Sequence, residues 1–101
     1  KMIQRLVLLK LKDQYAHESV RNELAAKSRA VLPNIPGVTG VTVGVPGDDA
    51  TEIAWDLSLS VEFASLEDVA PYISHPSHRL YVDETLKPKV EILKAWNFDI
   101  A

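Results

Sequence analysis

With 101 residues, 47% hydrophobic and 25% charged, the chain carries enough apolar material for one globular core and too little polar bias for disorder. A net charge of -3 and the lack of arginine interleaved with aromatic residues exclude a basic stripe for nucleic acid. No apolar run reaches the ~18 residues of a membrane span, no secretion-type segment stands out, and the absence of cysteine excludes disulfides and thiolate chemistry, which together predict a cytoplasmic protein.

The first predicted strand runs from about Met2 to Lys12. Ile3, Val7, Leu9 and Leu11 form one row, interrupted by Arg5, while Leu6 and Leu8 make the middle of the other row apolar as well. A strand apolar on both faces is central and covered twice. A helix follows from about His17 to Leu32, with Val20, Leu24, Ala25, Ser28 and Val31 on one stripe and Arg21 among the charged residues outside it. His17 reads as a solvated or capping residue, since no partner lies at ligand spacing. Pro33-Asn34-Ile35-Pro36-Gly37 ends that helix. Val38, Val41, Val43 and Val45, interrupted by Gly40 and Gly44, give a thin strand of edge or bulge character. Pro46-Gly47-Asp48-Asp49-Ala50 reads as a turn, because two adjacent acids without further oxygen ligands do not make a cation site.

From Trp55 to Phe63 the apolar residues Trp55, Leu57, Leu59, Val61 and Phe63 alternate strictly with Asp56, Ser58, Ser60 and Glu62, the two-residue period of a strand. Its apolar row belongs beneath the helices and its serine row on the opposite face. Ser65-Leu66-Glu67-Asp68 has the pattern of a capped helix start, with Ser65 accepting from a first-turn amide and Asp68 answering it. That helix is predicted to reach about Ser74, with Leu66, Val69, Tyr72 and Ile73 toward the core and a kink or late start at Pro71.

Tyr72-Ile73-Ser74-His75-Pro76-Ser77-His78 then places a phenol and two of the three histidines at the joint between two helices. Pro76 suits the first position of the second helix and pushes His75 into an extended conformation. His78 falls in that helix's first turn, on the face of Tyr81, Val82 and Thr85, where the positive helix end favours a neutral imidazole able to act as a base. A neutral histidine beside a tyrosine is a proton-transfer pair; the alternative is that both simply cap and pack. His75 and His78 lie three apart, but no third ligand is placed beside them, so no metal is predicted and His75 orients the turn or closes a pocket. After Leu86-Lys87-Pro88-Lys89, a last strand runs from Val90 to Ile100, with Val90, Ile92, Trp96 and Phe98 read as core.

The order β-α-β-β-α-β predicts an α+β protein of ferredoxin-like architecture, one antiparallel sheet with its helices on one side, the whole of residues 1–101 forming a single domain. Leu6 and Leu8 on the helix-free face, beside the serine row, leave a mixed surface with an apolar centre that a second copy would cover.

The residues that carry a wider likeness are Ile3 to Lys12, Ile35-Pro36-Gly37-Val38, Val61-Glu62-Phe63, the Tyr72 to His78 motif, Leu86-Lys87-Pro88 and Phe98-Asp99. Together, and in this order, they resemble the stress-responsive A/B barrel (Dabb) family. The resemblance implies a homodimer packed sheet face to sheet face as a dimeric α/β barrel. It also implies a mainly apolar pocket between sheet and helices for a small apolar or anionic ligand, with Val7, Leu9, Leu59 and Val61 in its wall and Arg5, His75 and Tyr81 at its polar end. By likeness to a cofactor-free polyketide cyclase of that family, His78 is the base that removes a proton next to a carbonyl and Tyr72 the donor that holds the carbonyl oxygen. No cofactor is implied. That cyclase has a further histidine on the first strand, where this chain offers Arg5, which is either an anion anchor or a partly exposed strand residue. Two functions therefore stay open: a cofactor-free cyclase or enolising enzyme, and a non-enzymatic stress-associated or small-molecule-binding protein.

Overall fold

The computed structural model of the chain describes residues 1–100; Ala101, the last residue of the expected domain, lies outside the described residues. Strands β1 (Ile3–Leu11), β2 (Val38–Gly44), β3 (Leu57–Phe63) and β4 (Val90–Asp99) form one antiparallel sheet in the order β2-β3-β1-β4. This is the expected ferredoxin-like sandwich. β1 and β3 are central, as their patterns require, and the valine-glycine strand β2 is an edge with a register shift between Val38 and Gly40. Of helices α1 (Glu18–Val31), α2 (Asp49–Ala54), α3 (Val69–Ser74) and α4 (Pro76–Leu80), α1 is flanked by short 3-10 turns and α3 preceded by one, while α4 continues into a wide π turn, Tyr81–Leu86.

Cross-strand pairing decides which residues share a face, since directly opposed residues point the same way. Ile3, Arg5, Val7 and Leu9 of β1 oppose Phe63, Val61, Leu59 and Leu57 of β3, and this row faces the helices. With Leu24 and Ala25 of α1, Val69 and Tyr72 of α3, Tyr81 and Leu86, it makes the core. Leu6 and Leu8 lie on the helix-free face opposite Ser60 and Ser58.

β4 corrects one expectation. Trp96 and Phe98 are not core in the protomer: they oppose Leu6 and Gln4 on the helix-free face and remain 46% and 48% exposed. The cause is a register shift between Lys10 and Leu11, which leaves Val90 opposite Leu11 on the helix side but moves Ile92 opposite Lys10 to the other side. One residue of slip exchanges the faces of a strand. The helix-free surface is accordingly more apolar than the first strand alone suggested.

Three further expectations change. Pro46 to Ala50 is not only a turn: Asp48 caps α2 by accepting from the Thr51 amide at 2.8 Å, and Asp49 and Glu52 complement the positive end of the first turn. Trp55 ends α2, so β3 begins two residues later than the alternation implied. The Ser65 capping box does not form; Ser65 Oγ bonds the Asp68 carboxylate at 3.4 Å, the segment opens as a 3-10 turn at Leu66–Asp68, and Leu66 and Ile73 are exposed rather than core. The late start at Pro71 does occur: α3 begins at Val69, so the proline occupies its first turn, where no amide is missed.

In α1, Arg21 sits within the buried stripe with Leu24, Ala25 and Ser28, not outside it, while Val20 and Val31 are only half-buried. Its partner is the fully buried Asp56, just before β3, whose carboxylate accepts from Arg21 Nε at 2.9 Å and from the Leu11 amide at 2.7 Å. Arg21 also donates to the Ala16 carbonyl. Burial of both charges is tolerated because each finds the other and further hydrogen bonds. His17 is exposed at the position before α1, where its ring meets Ser19 but caps no amide. No described helix is long and apolar enough to cross a membrane.

Candidate functional site

The joint between α3 and α4 is set by Pro76. The residue before a proline avoids helical angles, and His75 is extended (φ -60°, ψ 138°), so α3 stops at Ser74 and α4 starts afresh. His75 Nδ1 accepts from the Ser77 amide at 3.0 Å, which makes it the cap of α4. A ring nitrogen spent on an amide is not available to a metal, and among the described residues no group of three histidine or acidic side chains is arranged to hold one.

The break turns His78 back toward α3. Its Nδ1 lies 3.0 Å from the Ile73 carbonyl oxygen. A carbonyl has no proton to give, so Nδ1 donates, and in the neutral ring the lone pair is on Nε2. The imidazole is tilted against the Tyr72 ring with 4.5 Å between centroids, Tyr72 meets Phe63 edge-on at 5.0 Å, and Tyr81 lies 6.4 Å from His78. The half-buried His78 is thus the most exposed of four neighbouring rings, the other three being buried.

Burial lowers the His78 pKa from its ordinary value; the bond to Ile73 pulls it back and the charge of Arg5 lowers it further. The neutral form expected from the helix terminus therefore has a different main cause, desolvation in a five-residue helix. Burial raises the Tyr72 pKa, with Tyr81 adding to the effect and Arg5 opposing it, so the phenol holds its proton. Among the described residues no fully buried polar side-chain atom lacks a partner and the Tyr72 hydroxyl has none, so its oxygen is not fully enclosed although the residue is only 3% exposed.

Arg5 lies on the helix-facing row, half-buried, and donates from Nη1 to Asn97 Oδ1 at 3.0 Å on the neighbouring strand. Its charge acts on both Tyr72 and His78. Tyr81 is committed elsewhere. Ser28 Oγ donates to the Leu24 carbonyl at 2.7 Å, so the 2.6 Å contact between Ser28 and Tyr81 must be the phenol donating to the serine. Burial raises the Tyr81 pKa and the serine contact lowers it in part.

Val7, Leu9, Leu59 and Val61, expected in a pocket wall, are core side chains at most 8% exposed. Open space at His78 lies on its outer side, a groove of about 170 Å³ lined by Ile73, His78, Arg79, Val82, Asp83 and Lys87. A larger groove of about 320 Å³ lies at the other end of β1, beside Arg21 and Asp56, and is lined by neither Tyr72 nor Tyr81. Sequence reasoning missed Asn97, Ser28 and Asp56 as partners. Ser28 carried a signal, a hydroxyl in a buried helix stripe, whereas the roles of Asn97 and Asp56 depend on strand register.

Residues 3–100 match the Stress Responsive A/B Barrel Domain (Dabb), and the chain belongs to that family. No curated protein matches the sequence. Among solved structures, a Dabb family protein with a ferredoxin-like fold from Mesorhizobium loti is similar at 24% identity and TM-score 0.81, over 99% of this chain and 97% of that one. A dimeric ferredoxin-like protein of unknown function from Thermobifida fusca gives 16% and 0.82, over 98% and 91%. A hydroxynitrile lyase from Passiflora edulis gives 16% and 0.80, over 100% and 94%. At these identities the likeness is one of fold.

Proposed function

We infer that this Dabb-family chain works as a homodimer joined through its sheet faces, each protomer carrying a cofactor-free acid–base site that enolises or cyclises a small carbonyl compound. His78 is the base, Tyr72 the oxygen donor and Arg5 the local positive charge. The observation that carries the reading is the state of the His78 ring: Nδ1 is fixed by Ile73, which leaves the lone pair on Nε2, and the Tyr72 ring lies tilted against it with 4.5 Å between centroids.

Nε2 takes a proton from the carbon next to a carbonyl, the C–H electrons move into the carbonyl, and the Tyr72 hydroxyl donates to the oxygen as it becomes negative. A raised phenol pKa suits a donor that keeps its proton, and a lowered imidazole pKa suits a base that is neutral near pH 7. If the enolate carbon then attacks a second carbonyl of the same molecule, a C–C bond forms and the histidine returns the proton to the new alkoxide. That a protein of this fold is a hydroxynitrile lyase supports placing lyase-type chemistry on it. The dimer is supported by Leu6, Leu8, Trp96 and Phe98 on one exposed sheet face and by neighbours described as dimeric.

A second reading, a binding protein without chemistry, is favoured by the packed interior: Leu9 and Val61 are fully buried and Tyr72 nearly so. Turnover of a poly-β-keto substrate separates the two. His78→Gln should abolish it, while sedimentation still shows a dimer and the unfolding transition stays cooperative. Equal turnover by the variant ends the acid–base reading in favour of binding.

A further inference from the structure

The groove at His78 has a charge character unlike that of the chain as a whole. The protein carries a net charge of -3, yet the groove is flanked by two cations, Arg79 and Lys87, against one carboxylate, Asp83. Lys87 Nζ meets Asp83 at 3.1 Å, but this is an exposed i,i+4 pair, and such pairs are weak enough to open for a competing anion. Among the described residues Arg79 has no ion-pair partner, and it is exposed. Arg5 adds a third positive charge from the sheet side, but its Nη1 is engaged by Asn97, so it sets the local field while Arg79 remains open for a two-point contact.

The remaining groove walls are Ile73 and Val82, apolar and short. Its volume of about 170 Å³ falls below the ~300–1,000 Å³ typical of sites for drug-sized molecules, so the occupant is small. It must also present its reactive carbon to a ring that lines the same groove as the two cations.

We propose that this groove is a carboxylate subsite, and that the compound handled at His78 is a short 3-oxo carboxylate rather than a neutral ketone. The inference rests on the acid–base reading of His78. The carboxylate bonds Arg79 and, after release from Asp83, Lys87, while the chain lies along Ile73 and Val82 with its reactive carbon toward His78. An anion held there offsets the positive field of Arg5, so binding raises the proton affinity of His78. The groups facing the ring, Tyr72, Tyr81, Arg5, Arg79, Asp83 and Lys87, include just one carboxylate, which makes a ligand's own charge visible at the ring.

Acetoacetate and the neutral pentane-2,4-dione test binding side by side, since both are small and carry a methyl ketone but only the first is an anion. In the intact protein, NMR should show acetoacetate shifting the His78 ring signals and raising its pKa, with the diketone binding weakly. Because Arg79 and Lys87 are exposed, Arg79→Gln with Lys87→Gln should fold normally and weaken acetoacetate about fivefold to tenfold, leaving the diketone unchanged. Equal affinity for both compounds, no binding of acetoacetate, or no effect of the double variant overturns the subsite.

Deuterium exchange at the central carbon, measured against His78→Gln, reports on the chemistry separately. Selective binding of acetoacetate with no His78-dependent exchange keeps the anion subsite and ends the enolising reading. His78-dependent exchange without selective binding of acetoacetate keeps the enolising reading and ends the anion subsite.

Discussion

The two ends of β1 each bring polar side chains under the helices, and they use them in opposite ways. Near Leu11 every contact is closed: Asp56 accepts from a strand amide and from Arg21, and Arg21 donates onward to Ala16 and faces Glu52 at 3.5 Å. Near Arg5 the contacts stop short. His78 is fixed through one nitrogen and leaves the other, and the Tyr72 hydroxyl has no partner among the described residues. A polar cluster that completes its own hydrogen bonds stabilises the fold, whereas one that leaves polar groups open is where the proposed acid–base reading expects a ligand to arrive.

The sharpest way to break this contrast is at the closed end. Asp56→Ala removes the carboxylate that contacts the buried Arg21 Nε and leaves the Leu11 amide without its side-chain acceptor. Arg21 then keeps only the Ala16 carbonyl and the partly exposed Glu52 at 3.5 Å, and since breaking a buried pair costs up to ~3–5 kcal/mol, a large fall in the urea midpoint should appear. A loss below about 1 kcal/mol, the range of an exposed pair, would mean that water reaches Arg21 and that the two ends are not so different.

The open end was the more legible of the two in the sequence, for a physical reason. Its parts are local: Pro76 dictates the break, His75 and His78 follow from it, and Tyr72 lies one turn earlier on the same helix pair. The strict alternation of β3 likewise announced its own strand, though not where α2 would cut into it. At the closed end Arg21 and Asp56 are 35 residues apart, and nothing in either segment alone distinguishes a buried ion pair from two solvated charges. Trp96 and Phe98 were misplaced for a related reason: alternation separates two faces but does not say which is covered, and the register shift at Lys10 decided it.

Ser28→Ala probes the boundary between the ends. Ser28 is fully buried and its oxygen is the acceptor for the Tyr81 hydroxyl. Without it the phenol is left unsatisfied under α1, at a cost of ~1–3 kcal/mol by urea unfolding. Tyr81 should also lose its fixed position beside His78, visible as broadened His78 ring signals. Unchanged stability and line widths would show that the π turn holds Tyr81 without the serine.

Tyr72→Phe should sharpen the contrast by separating stability from chemistry. Its hydroxyl makes no bond that the fold depends on, so the variant should unfold within ~0.5 kcal/mol of the parent. Loss of an oxygen-directed donor should nevertheless lower turnover on the order of 10²-fold. If stability falls as far as in Ser28→Ala, the phenol belongs to the fold, and the open end is closed after all.

The smallest expected effect is the pH dependence of stability contributed by His78. Its folded pKa is lowered, chiefly by burial, so as the pH falls the unfolded chain takes up this proton before the native protein does. The associated stability is fully present above the unfolded value near ~6.5 and is lost as the pH falls through the lower folded value. The parent should therefore lose more unfolding free energy than His78→Gln between about pH 7.5 and about pH 5, every other titrating group being common to both. The difference is modest, because the ring is only half-buried and water screens it. Its sign is what matters. A parent that loses less than the variant would mean that the Ile73 hydrogen bond outweighs desolvation, so that the ring is charged where the proposed chemistry needs it neutral.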